Sequence, residues 1–213
     1  MAHTSLEITE FIVRTIGAVA IENRTYFSEL DGVVGDGDFG TSIATGFEAV
    51  TITKWDSLNR SSPGSFLKDV AQTFMGSVGG VSGSIWGTAF LRAGVKAGDA
   101  QELTRDDVLE MLWSAIEGMK KRGKSDLGDK TLLDAFIPAT EALQEVLKNG
   151  GTALDALKSA AQVARQKTEE IKPWVAKRGR ASYTGERSCN TYDAGSIAIA
   201  VIAEKLVEVW DTI

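Results

Sequence analysis

Three aspartates stand within eight residues of one another in the stretch Leu30 to Gly40, LDGVVGDGDFG. Glycines separate Asp31, Asp36 and Asp38, so the backbone can turn tightly enough to aim all three carboxylates at one point. Such a cluster repels itself and calls for a cation. Hard oxygen ligands on a flexible loop favour Mg2+ or Ca2+ over a soft metal, and Mg2+ retains positions for water and phosphate. The chemistry implied is a metal site that receives a nucleotide. The plainer alternative is a solvated acidic turn, since Asp and Gly are ordinary turn residues.

Three further stretches have the chemistry to complete such a site. Gly76 to Gly87, GSVGGVSGSIWG, holds five glycines and three serines in twelve positions, more than a packed helix accommodates without a reason. Its Gly79 to Gly83 portion can present backbone N–H groups to anionic oxygens at a helix N-terminus; a close helix crossing built from small residues is the alternative. The loop GDKT, Gly128 to Thr131, precedes a helix and either lines the pocket or serves as a plain cap. Lys177 to Arg187, KRGRASYTGER, supplies Lys177, Arg178, Arg180 and Arg187, and guanidinium groups suit multidentate phosphate contact.

Two literal motif matches fail on context. Gly118 to Ser125, GMKKRGKS, fits the P-loop pattern, but an amphipathic helix leads in and a polar loop leads out, where a P-loop needs a strand and then a helix. Gly35 to Gly40 fits G-x-G-x-x-G without a strand-helix unit around it, and Asp36 and Asp38 would repel a pyrophosphate that lacked metal. Any phosphate bound here is therefore bound through metal.

The elements that must carry these loops read as helices. Apolar residues at three-to-four spacing predict one helix over residues 4–29 and a second from about residue 40 to 53. A third begins at Pro63, a fourth is capped by Ser82 or Ser84, and a fifth starts at the N-cap Thr104 with Asp107 three residues on. The sixth spans Thr131 to Lys148 and ends at Asn149-Gly150-Gly151; the seventh runs from Thr152 to about Ile171 before Pro173. After a long polar loop from Trp174 to Tyr192, Asp193 caps a last, very apolar helix from Ala194 to Val209. The result is an all-α chain of about eight helices with no convincing strand and no domain boundary.

Bulk composition narrows the classes further. The 213 residues, 43% of them hydrophobic, suffice for a substantial core in one domain. Lys plus Arg number 23 against 29 for Asp plus Glu, and the net charge of −6 argues against nucleic acid as a partner. The single cysteine, Cys189, cannot form an internal disulfide, and no signal-peptide pattern or membrane-length apolar run occurs. A cytoplasmic protein without membrane contact is expected, which leaves the sequons at Asn23 and Asn59 without meaning.

The motifs GDGDFG, GSVGGVSG, GDKT and KRGRASYTGER followed by DAG occur in the order and at the spacing of the dihydroxyacetone kinase L subunit. That family is the nucleotide-binding partner in bacterial ketose kinases, and the resemblance covers essentially the whole chain. It implies an antiparallel eight-helix barrel or bundle with the nucleotide site at one rim. It also implies that Asp31, Asp36 and Asp38 hold two Mg2+ ions bridging the phosphates of ADP or ATP. Phe39, Gly40, Thr41 and Ser42 match the loop and helix start at the nucleotide, and Gly80, Val81 and Ser82 match its glycine-rich contact. Gly123, Leu132, Arg180, Asp193, Ala194 and Gly195 match further nucleotide-site positions. Arg180 is the candidate catalytic residue. Where the family often has histidine after the third aspartate, this chain has Phe39, a departure that inclines the phosphoryl source toward exchange with ATP.

Phosphoryl transfer asks mainly for positioning and charge neutralisation, which metals, backbone amides and Arg180 supply. The acceptor side is missing: the only histidine is His3, near the N-terminus. The resemblance implies a separate ketose-binding K subunit that supplies it, and a homodimer is expected. In phosphotransferase-dependent systems the L subunit keeps ADP, which a phosphohistidine protein recharges. Two readings compete: the nucleotide domain of a fatty-acid kinase, which belongs to a much longer chain, and a non-catalytic signalling partner of a transcription regulator.

Overall fold

The computed structural model describes residues 3–213, and all regular secondary structure among them is helical. Nine α-helices follow in order: α1 (Ser5–Glu22), α2 (Arg24–Gly32), α3 (Phe39–Glu48), α4 (Pro63–Ser77), α5 (Gly80–Ala97), α6 (Arg105–Gly123), α7 (Leu133–Lys148), α8 (Ala153–Ile171) and α9 (Ala194–Val209). Among the described residues no helix is long and apolar enough to cross a membrane.

Most helix starts follow from their local chemistry. Pro63 opens α4, where the Ser62 hydroxyl accepts from Ser65 N at 3.0 Å. Thr104 and Asp107 exchange hydrogen bonds of 3.2 and 2.8 Å ahead of α6, and Thr152 and Asp155 do the same at α8 with 3.1 and 3.3 Å. Asp193 caps α9 by accepting from Ser196 N at 2.6 Å.

Three expectations need correction. The predicted first helix is two, α1 and α2, because Asn23 at φ −98°, ψ 16° leaves helical geometry between them; this brings the count of α-helices among the described residues to nine. The fourth predicted helix is capped by neither Ser82 nor Ser84. It starts at Gly80, two residues before the first of those serines, behind an extended Gly79 with no side-chain cap. The polar stretch from Trp174 to Tyr192 is not wholly irregular, since Arg180–Ser188 winds into 3-10 turns.

Two compact units interleave along the sequence. The first takes in the chain up to Ile21, Ser42–Arg122 and Ile213; the second takes Glu22–Thr41 and Gly123–Thr212. In the first, the fully buried Phe47 lies edge-on to Phe74, Trp86 and Phe90 at centroid distances of 5.0, 6.3 and 5.9 Å. Here α4 packs on α5 through small residues. A Cβ on Gly94 would stand 2.8 Å from Gly64 O, and one on Gly87 would strike the Met75 side chain.

In the second unit, α8 packs against both α7 and α9, and α2 lies on α9. The α8 face toward them is small, with Ala156, Ala160, Ala161 and Ala164 buried, and α9 buries Ile197, Ala198, Ile199, Ala200 and Ile202. That near-continuous burial matches the apolar run read from the sequence. Arg165 of α8 grips Glu204 of α9 through two bonds of 2.7 and 2.6 Å, a half-exposed pair worth about 1 kcal/mol or less.

Candidate functional site

The acidic loop lies in the second unit, between α2 and α3. Val34 N and Gly35 N both donate to Asp31 O, at 3.1 and 2.5 Å, reversing the chain directly after the first aspartate. Gly35 has no side chain for a steric reason: a Cβ there would collide with the Asp31 carboxylate. Gly37 adopts φ +74°, a left-handed conformation that residues with a Cβ resist. Folded back this way, Asp31, Asp36 and Asp38 each offer a carboxylate oxygen within 4.8 Å of the others.

The start of α3 is wedged against α2 behind that cluster. Phe39 N donates to Asp31 Oδ2 at 3.3 Å, and the Phe39 ring packs on Phe27 at a centroid distance of 6.2 Å. Gly40 is buried against Arg24 O and Ser28, where any Cβ would clash, and Thr41 N donates to Ser28 Oγ at 3.2 Å. Thus Phe39 spends its side chain on the α2–α3 junction.

The counter-charge is Arg180. Its guanidinium pairs with Asp36 and, at 3.0 Å, with Asp38, two carboxylates far from it in sequence. Arg178, two residues earlier, instead faces Asp129 at 3.9 Å. Sequence reasoning expects Arg180 to meet phosphate and does not foresee these carboxylate partners. The Asp38 carboxyl is held above its ordinary range, by desolvation first and by the charge of Asp31 second. Three converging carboxylates that draw in an arginine fit a hard divalent cation, whose charge would answer the same repulsion.

Sequence reasoning misses the residues that hold the Arg180 segment. Lys130, 2% exposed, points its ammonium inward and donates to the carbonyls of Lys172 (2.9 Å), Trp174 (2.8 Å) and Ser188 (2.5 Å). Burial lowers its pKa, opposed by nearby Asp193 and Cys189. Asp134, also 2% exposed, accepts from Gly128 N at 2.6 Å and Thr131 N at 2.8 Å. The GDKT loop is thereby built around two buried charges. Thr131 followed three residues later by Asp134 is a cap spacing that could have flagged the aspartate; nothing local flags Lys130.

The remaining candidates fall in known places. Leu132 precedes α7, and Gly195 in the first turn of α9 comes so close that a Cβ would stand 3.0 Å from Leu132 Cβ and 3.2 Å from Asp193 Oδ2. Ala194 is buried beside them, and Gly123 ends α6. Ser42, Gly80, Val81 and Ser82 belong to the first unit. There the glycine-rich run divides into two kinds. Gly83 and Gly87 are packing glycines whose Cβ would hit Val78 and Met75, whereas Gly79 and Gly80 face open space and Gly80 takes φ +73°. Helix crossing accounts for Gly87 and the turn of Val78 against the start of α5 accounts for Gly83, which leaves the second pair as exposed backbone at the head of an 18-residue helix.

Desolvation pushes the Asp193 carboxyl up to about 7; the Ser196 N–H opposes the rise, Asp134 adds to it and Lys130 lowers it. The folded state therefore binds a proton more tightly than the unfolded chain, so this group's contribution to stability falls as pH rises from about 4 to about 7. Asp107 and Asp155, lowered by their capping threonines, act in the opposite sense below that window. Asp193→Asn is expected to flatten the decline in melting temperature between pH 4 and pH 7. Thermal unfolding across that range in metal-free, nucleotide-free buffer checks it, and an unchanged slope contradicts the assignment.

With this geometry in hand, comparison with known proteins gives consistent results. The DAK2 domain family matches residues 33–208. The chain is 31% identical over 206 residues to the ADP-binding subunit DhaL of the PEP-dependent dihydroxyacetone kinase of Escherichia coli (strain K12), covering 97% of each chain. It is 34% identical over 188 residues to the ADP-binding subunit DhaL of the PTS-dependent dihydroxyacetone kinase of Lactococcus lactis, covering 88% of this chain and 89% of that one. Among solved structures, the dihydroxyacetone kinase of C. freundii in complex with AMP-PNP and Mg2+ superimposes with a TM-score of 0.72 at 25% identity. That match covers 98% of this chain and 34% of the other, so the chain spans about a third of the solved protein.

Proposed function

The chain belongs to the DAK2 domain family, and from that premise we propose that it is the nucleotide-binding subunit of a kinase for dihydroxyacetone or a related short ketose. The observation that carries this reading is the convergence of Asp31, Asp36 and Asp38 with Arg180 over them. The three aspartates would hold two Mg2+ ions and, through them, the phosphates of ADP or ATP. When bound, the metal supplies charge neutralisation along the phosphate chain. Phe39, Gly40, Thr41, Ser42, Gly80, Val81, Ser82, Gly123, Leu132, Asp193, Ala194 and Gly195 are proposed to line the nucleotide. Arg180 stands within reach of the same carboxylates, so a phosphate held there would meet its guanidinium, which would stabilise charge on the transferred group.

The acceptor and its base come from elsewhere. His3, the only histidine, is exposed and faces Glu7 at 3.9 Å. A K subunit that holds the ketose would complete the active site. For the phosphoryl source, the names of the two relatives, PEP-dependent and PTS-dependent ADP-binding subunits, support a retained ADP recharged by a phosphohistidine protein. Phe39, whose ring serves the contact with Phe27, gives no separate support for ATP exchange.

Arg180 offers the sharpest test of the site. An exposed ion pair is worth about 0 to 1 kcal/mol, whereas a charge-assisted hydrogen bond contributes roughly 1.5 to 3 kcal/mol. Arg180→Ala is therefore expected to weaken Mg-ADP binding well beyond about tenfold with the melting temperature of the nucleotide-free protein little changed. Arg178→Ala, which loses only the 3.9 Å contact with Asp129, should leave affinity near that of the parent. Calorimetry that found the loss in Arg178→Ala and none in Arg180→Ala would transfer the role to the neighbour.

A further inference from the structure

Between Lys172 and Ser188 the chain leaves the end of α8, carries Arg180 outward and returns. Both feet of this excursion meet at one point. Each of the three N–H bonds of Lys130 goes to a carbonyl: Lys172 and Trp174 on the outgoing strand of the loop, Ser188 on the returning one. A second closure lies beside it, where the buried Ser188 hydroxyl accepts from Ala176 N at 2.9 Å and donates to Gly185 O at 2.6 Å. A third ties Lys177 N to Asp129 O at 3.0 Å, next to Lys130 in sequence.

Lys130 itself adopts φ +60°, a left-handed conformation costly for a residue with a Cβ. An ammonium buried without a carboxylate bonded to it is unfavourable unless all three protons find acceptors, and here all three do. The same residue type at the surface would bring none of these strands together.

We infer that Lys130 is a positioning residue for Arg180: it clasps the two feet of the 172–188 loop and thereby sets where the guanidinium stands over Asp36 and Asp38. The inference rests on the proposed nucleotide role of Arg180. The Lys130 ammonium bonds to backbone carbonyls of the loop, and it acts on Arg180 through that loop.

Lys130→Met keeps the unbranched stem of the side chain, one atom shorter, and removes the donors. By hydrogen exchange, the amides of Ala176 and Lys177 should lose protection while those of α7, α8 and α9 keep theirs. By calorimetry, Lys130→Met should weaken Mg-ADP binding by about tenfold or more in the parent and by less than about twofold in an Arg180→Ala background. A merely structural role would cost the same factor in both backgrounds. Equal losses in the two backgrounds, or unchanged exchange at Ala176 and Lys177, overturn the inference while leaving the role of Arg180 intact. If Arg180→Ala alone leaves affinity unchanged, the role of Arg180 fails first and the positioning role fails with it. Should Lys130→Met not fold, Ser188→Ala loosens the same stem with the ammonium kept. It must then reproduce both the lost protection and the background-dependent loss of affinity, and failure to do so overturns the inference equally.

Discussion

A protein carrying Asp36→Ala and Asp38→Ala together is expected to lose most of its metal-dependent ADP affinity while keeping its helix content. Both residues are exposed and lie in the loop between α2 and α3, so neither supports a helix. Removing them leaves Asp31 as the only carboxylate of the cluster, too few hard ligands to fix two ions. At roughly 1.5 to 3 kcal/mol for each charge-assisted contact, the loss amounts to about a hundredfold or more in affinity. The double change also releases Arg180 from its two partners. A weak, metal-independent attraction for the phosphates can therefore remain, and the titration is best run with and without Mg2+. Undiminished ADP affinity in the double variant in the presence of Mg2+ would mean that the aspartates are not the metal ligands.

The parts of this protein that sequence alone discloses are those decided within a few residues. Thr104 with Asp107, Thr152 with Asp155, Pro63 and Asp193 all set helix starts by local hydrogen bonds or a fixed φ, and each does so in the structure. Convergence of the three aspartates was legible for the same reason, because Gly35 and Gly37 sit between them and the reversal needs no distant partner. The break at Asn23 was not legible: residues 4–29 keep a helical apolar spacing across it, and only the backbone angles show the turn.

Contacts between distant segments were hidden as well. Arg180 is one of four basic residues in its loop, and its selection to face Asp36 and Asp38 depends on how the loop is anchored. That anchor, Lys130, looks in sequence like any surface lysine; its burial follows from the closure of a loop some forty residues further on. Glycines present a related problem. Gly80 and Gly83 are indistinguishable as letters, yet one faces open space and the other is forced by contact with Val78.

The largest effect expected is on turnover. Attack on phosphorus needs an acceptor hydroxyl held in line and relieved of its proton. The chain has a cluster suited to metal and phosphate, but its single histidine is exposed at the N-terminal end of the described residues, where it faces Glu7. General base catalysis contributes about 10²- to 10⁴-fold and in-line positioning far more, so half a site should give no measurable transfer. The direct measurement is phosphate transfer to dihydroxyacetone by the purified chain, alone and mixed with a K subunit, supplied either with a phosphohistidine donor or with ATP. Product is expected only in the mixture, with the phosphohistidine donor and with ADP found on the purified chain by mass spectrometry. Turnover by the chain alone would contradict the account.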